Sequence, residues 1–114
     1  MTVTSRAVLH VHPGRRDEFL AVAGALAAAA AEEDRTLRYD WYASVDDGDV
    51  FVAIEEYVDG AAALAHNEHC QALLDRIPQV ADMTAVDLYG DLGPQLEQWV
   101  AEHPFAHEHQ PLRW

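Results

Sequence analysis

The sequence predicts an α+β domain in which helices cover one face of a single antiparallel sheet. Four stretches alternate apolar and polar residues with a period of two, as half-buried strands do. Two longer stretches lie between these strands and carry apolar residues three or four positions apart, which is typical of amphipathic helices. The chain of 114 residues is long enough for one such domain with a single hydrophobic core.

The first two elements are a strand and a helix that can pack closely. The strand is predicted over residues 2–12, with Leu9 on one face and His10 and His12 on the other. A long helix is predicted over residues 15–33, and its apolar stripe consists mostly of small side chains. Because these side chains are small, the helix can lie close to the sheet.

A hairpin and a second helix form the middle of the chain. An acidic turn with a glycine at residues 46–49 joins two predicted strands, residues 36–45 and 50–58. A second helix is predicted over residues 60–76. Pro78 is expected to end it, because proline lacks the backbone N–H that a helix interior needs.

The last part of the chain completes the sheet and adds an extension. A fourth strand is predicted over residues 83–89, a third helix over residues 92–103, and a histidine-rich tail without periodicity over residues 105–114. The resulting order, β-α-β-β-α-β with an extra C-terminal helix, is that of ferredoxin-like proteins. We therefore expect residues 1–91 to form a ferredoxin-like domain and residues 92–114 to pack on a dimer.

The predicted sheet has apolar side chains on both faces, although the helices cover only one face. An uncovered apolar face of this kind is an association surface. A second copy of the same sheet is the simplest cover, so the sequence predicts a homodimer.

Composition argues against several classes of partner. The formal net charge of −13 repels phosphate backbones, so we expect no nucleic-acid binding. The apolar run at residues 21–31 is too short to span a membrane, and the first residues lack a signal-peptide pattern. The single cysteine, Cys70, has no partner for an internal disulfide, which fits a reducing compartment. We therefore expect a cytoplasmic protein without a membrane partner.

A corner between the third strand and the second helix contains the candidate catalytic side chains. Glu55 and Tyr57 lie on one face of the strand, and His66 lies in the first two turns of the helix. Two interpretations remain open, since these groups are either half-buried structural residues or the polar wall of a pocket. In the second interpretation His66 is a general base, because histidine titrates near neutral pH.

Four patches of the sequence resemble the antibiotic biosynthesis monooxygenase family, in the same order along the chain. They are residues 8–19, 32–40, 54–66 and 85–90. The resemblance implies a dimeric α+β barrel. It also implies one of the family's reactions, which are cofactor-independent oxygenation of anthrone-like polyketides, quinol oxidation, haem degradation and isomerisation of a phosphorylated sugar.

Individual positions extend this resemblance. The step Glu55-x-Tyr57 is similar to the family's Glu-x-aromatic pattern, and His66 matches a recurrent family histidine. His69 resembles a second recurrent histidine, at a shorter spacing. Two positions differ from the oxygenating members: Tyr57 stands where tryptophan is common, and Ala7 stands where those members have asparagine.

The leading hypothesis is a homodimeric, cofactor-independent monooxygenase that oxidises a phenolic, quinol or polyketide-type aromatic substrate with O₂. His66 is predicted to be the base, while Tyr57 and Glu55 are predicted to hold the substrate oxygen. The predicted substrate-binding residues are His10, Trp41 and His69.

No metal or organic cofactor is expected, and two alternative functions remain open. His10 and His12 share a strand face but have no third ligand nearby in the sequence, and no glycine-rich phosphate loop is present. One alternative is an isomerase that acts through an enediol and uses the same base without O₂. The other is a non-catalytic dimer that binds a small ligand.

Overall fold

The computed structural model describes residues 1–114 and contains one five-stranded sheet and five helices. The strands are β1 Val3–Val11, β2 Thr36–Ala43, β3 Val50–Tyr57, β4 Ala81–Tyr89 and β5 Ala106–His109. The helices are α1 Arg16–Ala30, α2 Gly60–His69, α3 Gln71–Leu74, α4 Ile77–Val80 and α5 Pro94–Glu102. None of these helices combines the length and the apolar character that crossing a membrane requires. The predicted ferredoxin-like α+β class is confirmed.

The sheet has the first strand at its centre and one face covered by helices. The strand order is β2-β3-β1-β4-β5, in which the first four strands are antiparallel and β5 runs parallel to β4. The buried residues of β1 are Val3, Ser5, Ala7, Leu9 and Val11. The alternate residues of β1 are half-buried or exposed, so the other face of the sheet has no cover within the chain.

Helix α1 buries an apolar stripe against the β2–β3 hairpin. Phe19, Val22 and Leu26 are between 0% and 1% exposed. The ring of Phe19 packs edge-on against Trp41, with 5.5 Å between ring centroids, and against Phe51 at 4.8 Å. These aromatic contacts fix α1 over one end of the sheet.

Two residues set the start of α2: Asp59, which caps the helix, and Gly60, which is its first residue. Oδ1 of Asp59 accepts a hydrogen bond of 2.8 Å from the backbone N–H of Ala62, which satisfies one of the free donors at the start of a helix. Arg35 donates a second hydrogen bond of 2.8 Å to the same oxygen. At Gly60, a Cβ atom would lie 1.8 Å from the carbonyl oxygen of Leu92. Glycine at this position therefore allows the segment before α5 to lie against α2.

Two segments differ from their predictions. The helix predicted over residues 60–76 is interrupted at Cys70, where φ is −97° and ψ is 10°, and Pro78 lies in the first turn of the short helix α4. Proline is tolerated there because its missing N–H would have no partner within the helix. The histidine-rich tail, for which no strand was predicted, contains β5, and next to it the N–H of Val86 donates to the carbonyl of Phe105 at 2.9 Å. Backbone pairing of this kind requires no alternation of side chains, so the sequence pattern did not indicate it.

We expect Gly60→Ala to destabilise the fold by about 1–3 kcal/mol, because the added methyl group would overlap the Leu92 carbonyl. Gly24→Ala is the matched control, since a Cβ atom at that position in α1 meets nothing within 4 Å. The control should stabilise the protein by about 0.5–1 kcal/mol, because alanine favours a helix. Urea unfolding measures both effects, and a Gly60→Ala variant as stable as the wild type would contradict the close approach.

Candidate active site

The buried face of the sheet forms one side of a cavity of about 490 Å³, and residues of the helices line the opposite side. Most of the lining residues are apolar. Tyr39, Glu55 and Ser5 occupy directly neighbouring positions on β2, β3 and β1, and all three line the cavity. They form a polar strip across the cavity floor. A mostly apolar cavity with a few convergent polar groups is typical of a small-molecule site.

His66 on α2 lies against this polar strip and is only 3% exposed. Its ring centroid is 5.2 Å from that of Tyr39 and 5.6 Å from that of Tyr57. His66 also borders an outer cavity of about 310 Å³, whose lining includes Glu33 and His69. It is the one residue that lines both cavities, so it forms the wall between them.

Glu33 holds His66 in one orientation. Its carboxylate accepts hydrogen bonds from Nδ1 of His66 at 2.8 Å, Nδ1 of His69 at 2.6 Å and the hydroxyl of Thr36 at 2.7 Å. Burial alone would raise the pKa of Glu33, but the hydrogen bonds from these three residues outweigh burial and lower the pKa below its usual value. An ionised carboxylate only accepts hydrogen bonds, so Nδ1 of His66 carries a proton, and in the neutral imidazole Nε2 has the free lone pair.

Glu55 faces the free nitrogen of His66 across the cavity floor. Nε2 of His66 and Oε1 of Glu55 are 3.9 Å apart, so one oxygen atom of a bound molecule can contact both groups. The hydroxyl of Tyr57 donates a hydrogen bond to Glu55. Burial raises the pKa of Glu55 and outweighs the opposing effects of Tyr57 and His66. Burial also raises the pKa of Tyr57, so its phenol keeps its proton.

The structure brings some of the predicted site residues together and separates others. The predicted residues that line the main cavity are Glu55, Tyr57, His66 and Trp41. His69 lies instead in the outer cavity, with 45% of its side chain exposed and a hydrogen bond to Glu33. His10 is exposed on the opposite face of the sheet and lines neither cavity. Because alternate strand residues point to opposite faces and Leu9 points inward, the geometry does not support substrate binding by His10.

Several residues that shape the site were not predicted from the sequence. Tyr39 and Trp41 are two positions apart on β2 and therefore share one face of the strand. This spacing was a signal that both face the cavity. Glu33 carried no such signal, because its role depends on how the end of α1 meets α2. The extension beyond β4 adds a further wall, made by Leu96, Trp99, His103 and Phe105. Because these four residues line the cavity, the extension contributes to this chain's own cavity. The ring of Trp99 stacks on His103 within it, with 4.1 Å between centroids.

Comparisons with known proteins identify relatives with the same fold. The structure of MupZ from Pseudomonas fluorescens has a TM-score of 0.80 and 15% identity, over 99% of this chain and 92% of that chain. A protein from Nitrosomonas europaea, described as a "Putative antibiotic biosynthesis monooxygenase", has a TM-score of 0.73 and 23% identity, over 82% of this chain and 92% of that chain. At these identities the two structures show the fold alone.

Sequence comparisons identify the family to which the chain belongs. A curated relative from Bacillus subtilis (strain 168), named "Putative monooxygenase YcnE", is 33% identical over 66 residues, which are 58% of this chain and 70% of the relative. The family model described as "Antibiotic biosynthesis monooxygenase" matches residues 2–81, which is more than half of the chain. The chain therefore belongs to the antibiotic biosynthesis monooxygenase family.

Proposed function

We propose that this protein is a cofactor-independent monooxygenase that oxidises a phenolic, quinol or polyketide-type aromatic substrate with O₂. Family membership supports a monooxygenase-like function. The observation that supports the specific proposal is the orientation of His66, whose Nδ1–H is held by Glu33 at 2.8 Å while its Nε2 faces Glu55 in the cavity. An oriented imidazole with a free lone pair is suited to remove a proton from a bound molecule.

Deprotonation is the step that reaction with O₂ requires from the protein. For a substrate with an activated CH₂ group, Nε2 of His66 takes one proton and leaves a carbanion. The carbanion passes one electron to O₂, and the resulting superoxide and substrate radical combine into a peroxide anion. The peroxide recovers the proton from His66 and loses water, which leaves a carbonyl group. One oxygen atom enters the product and the other leaves as water, so the reaction needs no further reductant.

An aromatic substrate suits the cavity better than a phosphorylated one. Aromatic side chains line its walls, namely Tyr39, Trp41, Trp99 and Phe105. The lining includes no arginine, and the chain has no lysine, so no permanently charged cationic side chain is there to pair with a phosphate. This lining disfavours the isomerase alternative with a phosphorylated sugar. The indole N–H of Trp41 is buried without an acceptor, so a substrate oxygen that reached it would satisfy the donor.

In this proposal Glu55 holds the substrate oxygen and Tyr57 acts through Glu55. Burial raises the pKa of Glu55, and when its carboxyl group is protonated it can donate a hydrogen bond to that oxygen. The hydroxyl of Tyr57 is already engaged with Glu55. Tyr57 is therefore a positioning residue that orients the carboxyl group.

We also propose that the uncovered face of the sheet pairs with a second copy of the chain. Val52, Val8 and Ala85 are direct neighbours across β3, β1 and β4 on that face, and each is half-buried in the single chain. Arg38 and Glu56 lie on the same face two rows farther along the sheet, so both signs of charge occur on this face beyond its apolar centre. This composition is typical of a specific protein–protein interface.

Replacing His66 by alanine should lower the turnover of an anthrone or hydroquinone by about 10²–10⁴-fold, the usual effect of losing a general base. An oxygen electrode and product chromatography measure turnover, and circular dichroism checks the fold. His107→Ala is the matched control and should keep the wild-type rate, since His107 is exposed and lines neither cavity. A full rate in His66→Ala would refute the assigned base. Tight ligand binding without turnover in the wild type would favour the non-catalytic alternative.

Replacing Glu55 by glutamine should change how stability depends on pH. The folded-state pKa of Glu55 is raised above its ordinary value of 4.5. The wild-type protein therefore loses stability as pH rises from about 4.5 through the raised pKa, because the buried carboxyl group then ionises. Glutamine cannot ionise, so the variant should gain stability relative to the wild type as pH increases. Urea unfolding at pH 4 and at neutral pH measures the difference. Glu68→Gln is the matched control, because Glu68 is exposed on α2, and it should show no such change. Equal pH profiles for Glu55→Gln and the wild type would contradict the burial of the Glu55 carboxyl group.

Replacing Val52 by glutamate should convert the dimer into a monomer, because the interface would then bury an unpaired charge. Light scattering at micromolar concentration measures the mass. Val45→Glu is the matched control, since Val45 is fully exposed in the β2–β3 turn, and this variant should remain a dimer. A monomeric wild-type protein would overturn the proposed association.

A further inference from the structure

Three side chains with different ligand atoms converge on the Nδ1 side of His66, where Glu33 and His69 line the outer cavity and Cys70 is buried behind them. They are Glu33 after α1, His69 at the end of α2, and Cys70 next to it. Nδ1 of His69 lies 2.6 Å from Oε2 of Glu33, and Sγ of Cys70 lies 3.7 Å from the same oxygen. The nitrogen, oxygen and sulfur atoms all lie within 4.8 Å of one another.

We propose that Glu33, His69 and Cys70 form a binding site for a divalent transition metal of the zinc class. Carboxylate oxygen, imidazole nitrogen and thiolate sulfur are the three kinds of ligand that Zn²⁺ takes from proteins. Zinc bonds of roughly 2.0–2.3 Å in tetrahedral geometry place ligand atoms about 3.3–3.8 Å apart. The separation of 3.7 Å between Cys70 and Glu33 already has this value. The distance of 2.6 Å between His69 and Glu33 is that of a hydrogen bond, and a small side-chain rotation widens it when a metal ion replaces the shared proton.

The backbone of α2 brings two consecutive residues to one carboxylate. Successive residues on a regular helix point in different directions and do not face a common partner. At Cys70 the backbone leaves the helical conformation, with φ −97° and ψ 10°, and the next helix begins at Gln71. This interruption allows the side chains of His69 and Cys70 to reach Glu33 together.

The electrostatics of the outer cavity favour a cation. The hydrogen bonds to Glu33 keep its carboxylate ionised, and the neighbouring cation Arg35 is paired with Asp59 at 2.8 Å. Burial, and then the charge of Glu33, raise the pKa of Cys70 to about 11, so the thiol is neutral in the absence of an ion. A bound divalent cation reverses this balance, because a coordinated thiol is deprotonated.

Other histidine–carboxylate pairs of the chain lack the third ligand. His12 lies 3.0 Å from Asp82, and His109 lies 3.0 Å from Asp87. Neither pair belongs to a group of three ligand residues. These pairs therefore act as internal controls for adventitious binding of a metal to surface histidines.

Cobalt(II) titration of the full-length, chelator-treated protein tests the site, because a Co²⁺–thiolate bond has a near-ultraviolet charge-transfer band and Cys70 is the one cysteine. We expect this band to saturate at one equivalent of Co²⁺ per chain and to disappear when Zn²⁺ is added. His69→Asn should weaken Co²⁺ binding by more than about tenfold, as loss of a metal-site residue commonly does. His69 is exposed, so this variant should fold, and circular dichroism checks that it does.

His109→Asn is the control variant and should bind Co²⁺ as the wild type does. The proposal is overturned if the wild type shows no charge-transfer band under excess Co²⁺. Glu33, His69 and Cys70 would then form only a hydrogen-bonded network that joins α2 to the end of α1. It is also overturned if His69→Asn binds Co²⁺ as tightly as the wild type. These readouts do not depend on turnover, so they are independent of the proposed oxygenation.

Discussion

The carboxylate of Glu33 is the group on which the geometry of the site depends. It lies just after α1 and accepts hydrogen bonds from Thr36 at the start of β2 and from His66 and His69 on α2. Three elements therefore meet at one largely buried charge. Such a charge is stable only where hydrogen bonds replace its hydration, so a shift of any one element would leave it unsatisfied. The orientation of His66 is consequently a property of the fold and does not rest on one side-chain rotamer.

Small side chains on the sheet explain why a cavity lies next to His66. Ala7 and Ala53 are direct neighbours on β1 and β3, and Trp41 lies next in the same row on β2. All three line the cavity, and larger side chains at the alanine positions would fill it, since protein interiors pack densely. A flat aromatic molecule can therefore lie over the two alanines beside the Trp41 ring. Ala7 lacks the amide that the resemblance implies at this position in oxygenating members. In the proposed function the polar contacts to a substrate therefore come from other lining groups, among them Glu55 and Trp41.

The sequence was sufficient for the parts of the fold and the site that depend on local patterns. Alternation along β1 to β4 and the apolar stripe of α1 predicted the ferredoxin-like order, and the Glu55-x-Tyr57 spacing placed both side chains on the cavity floor. Strand β5 was missed because a segment of four residues, most of them polar, joins the sheet through backbone hydrogen bonds. Glu33 was missed because its partner His66 is 33 positions away in the chain, and only tertiary packing brings them together. His10 was assigned to the site for its residue type, although strand alternation places it opposite the buried face.

The position of His66 between two cavities links the inner chemistry to the outer cluster. Nδ1 of His66 donates to Oε1 of Glu33 at 2.8 Å and lies 3.1 Å from Oε2, which also accepts from His69 and lies near Cys70. The two oxygens share one delocalised charge, so an ion bound at Oε2 would withdraw electron density from Oε1. The hydrogen bond to Nδ1 of His66 would then weaken, and the imidazole would become a weaker base at Nε2. In the proposed function, an ion bound to Glu33 in the outer cavity would therefore affect proton removal in the main cavity without entering it, because Glu33 holds His66, which lines both cavities.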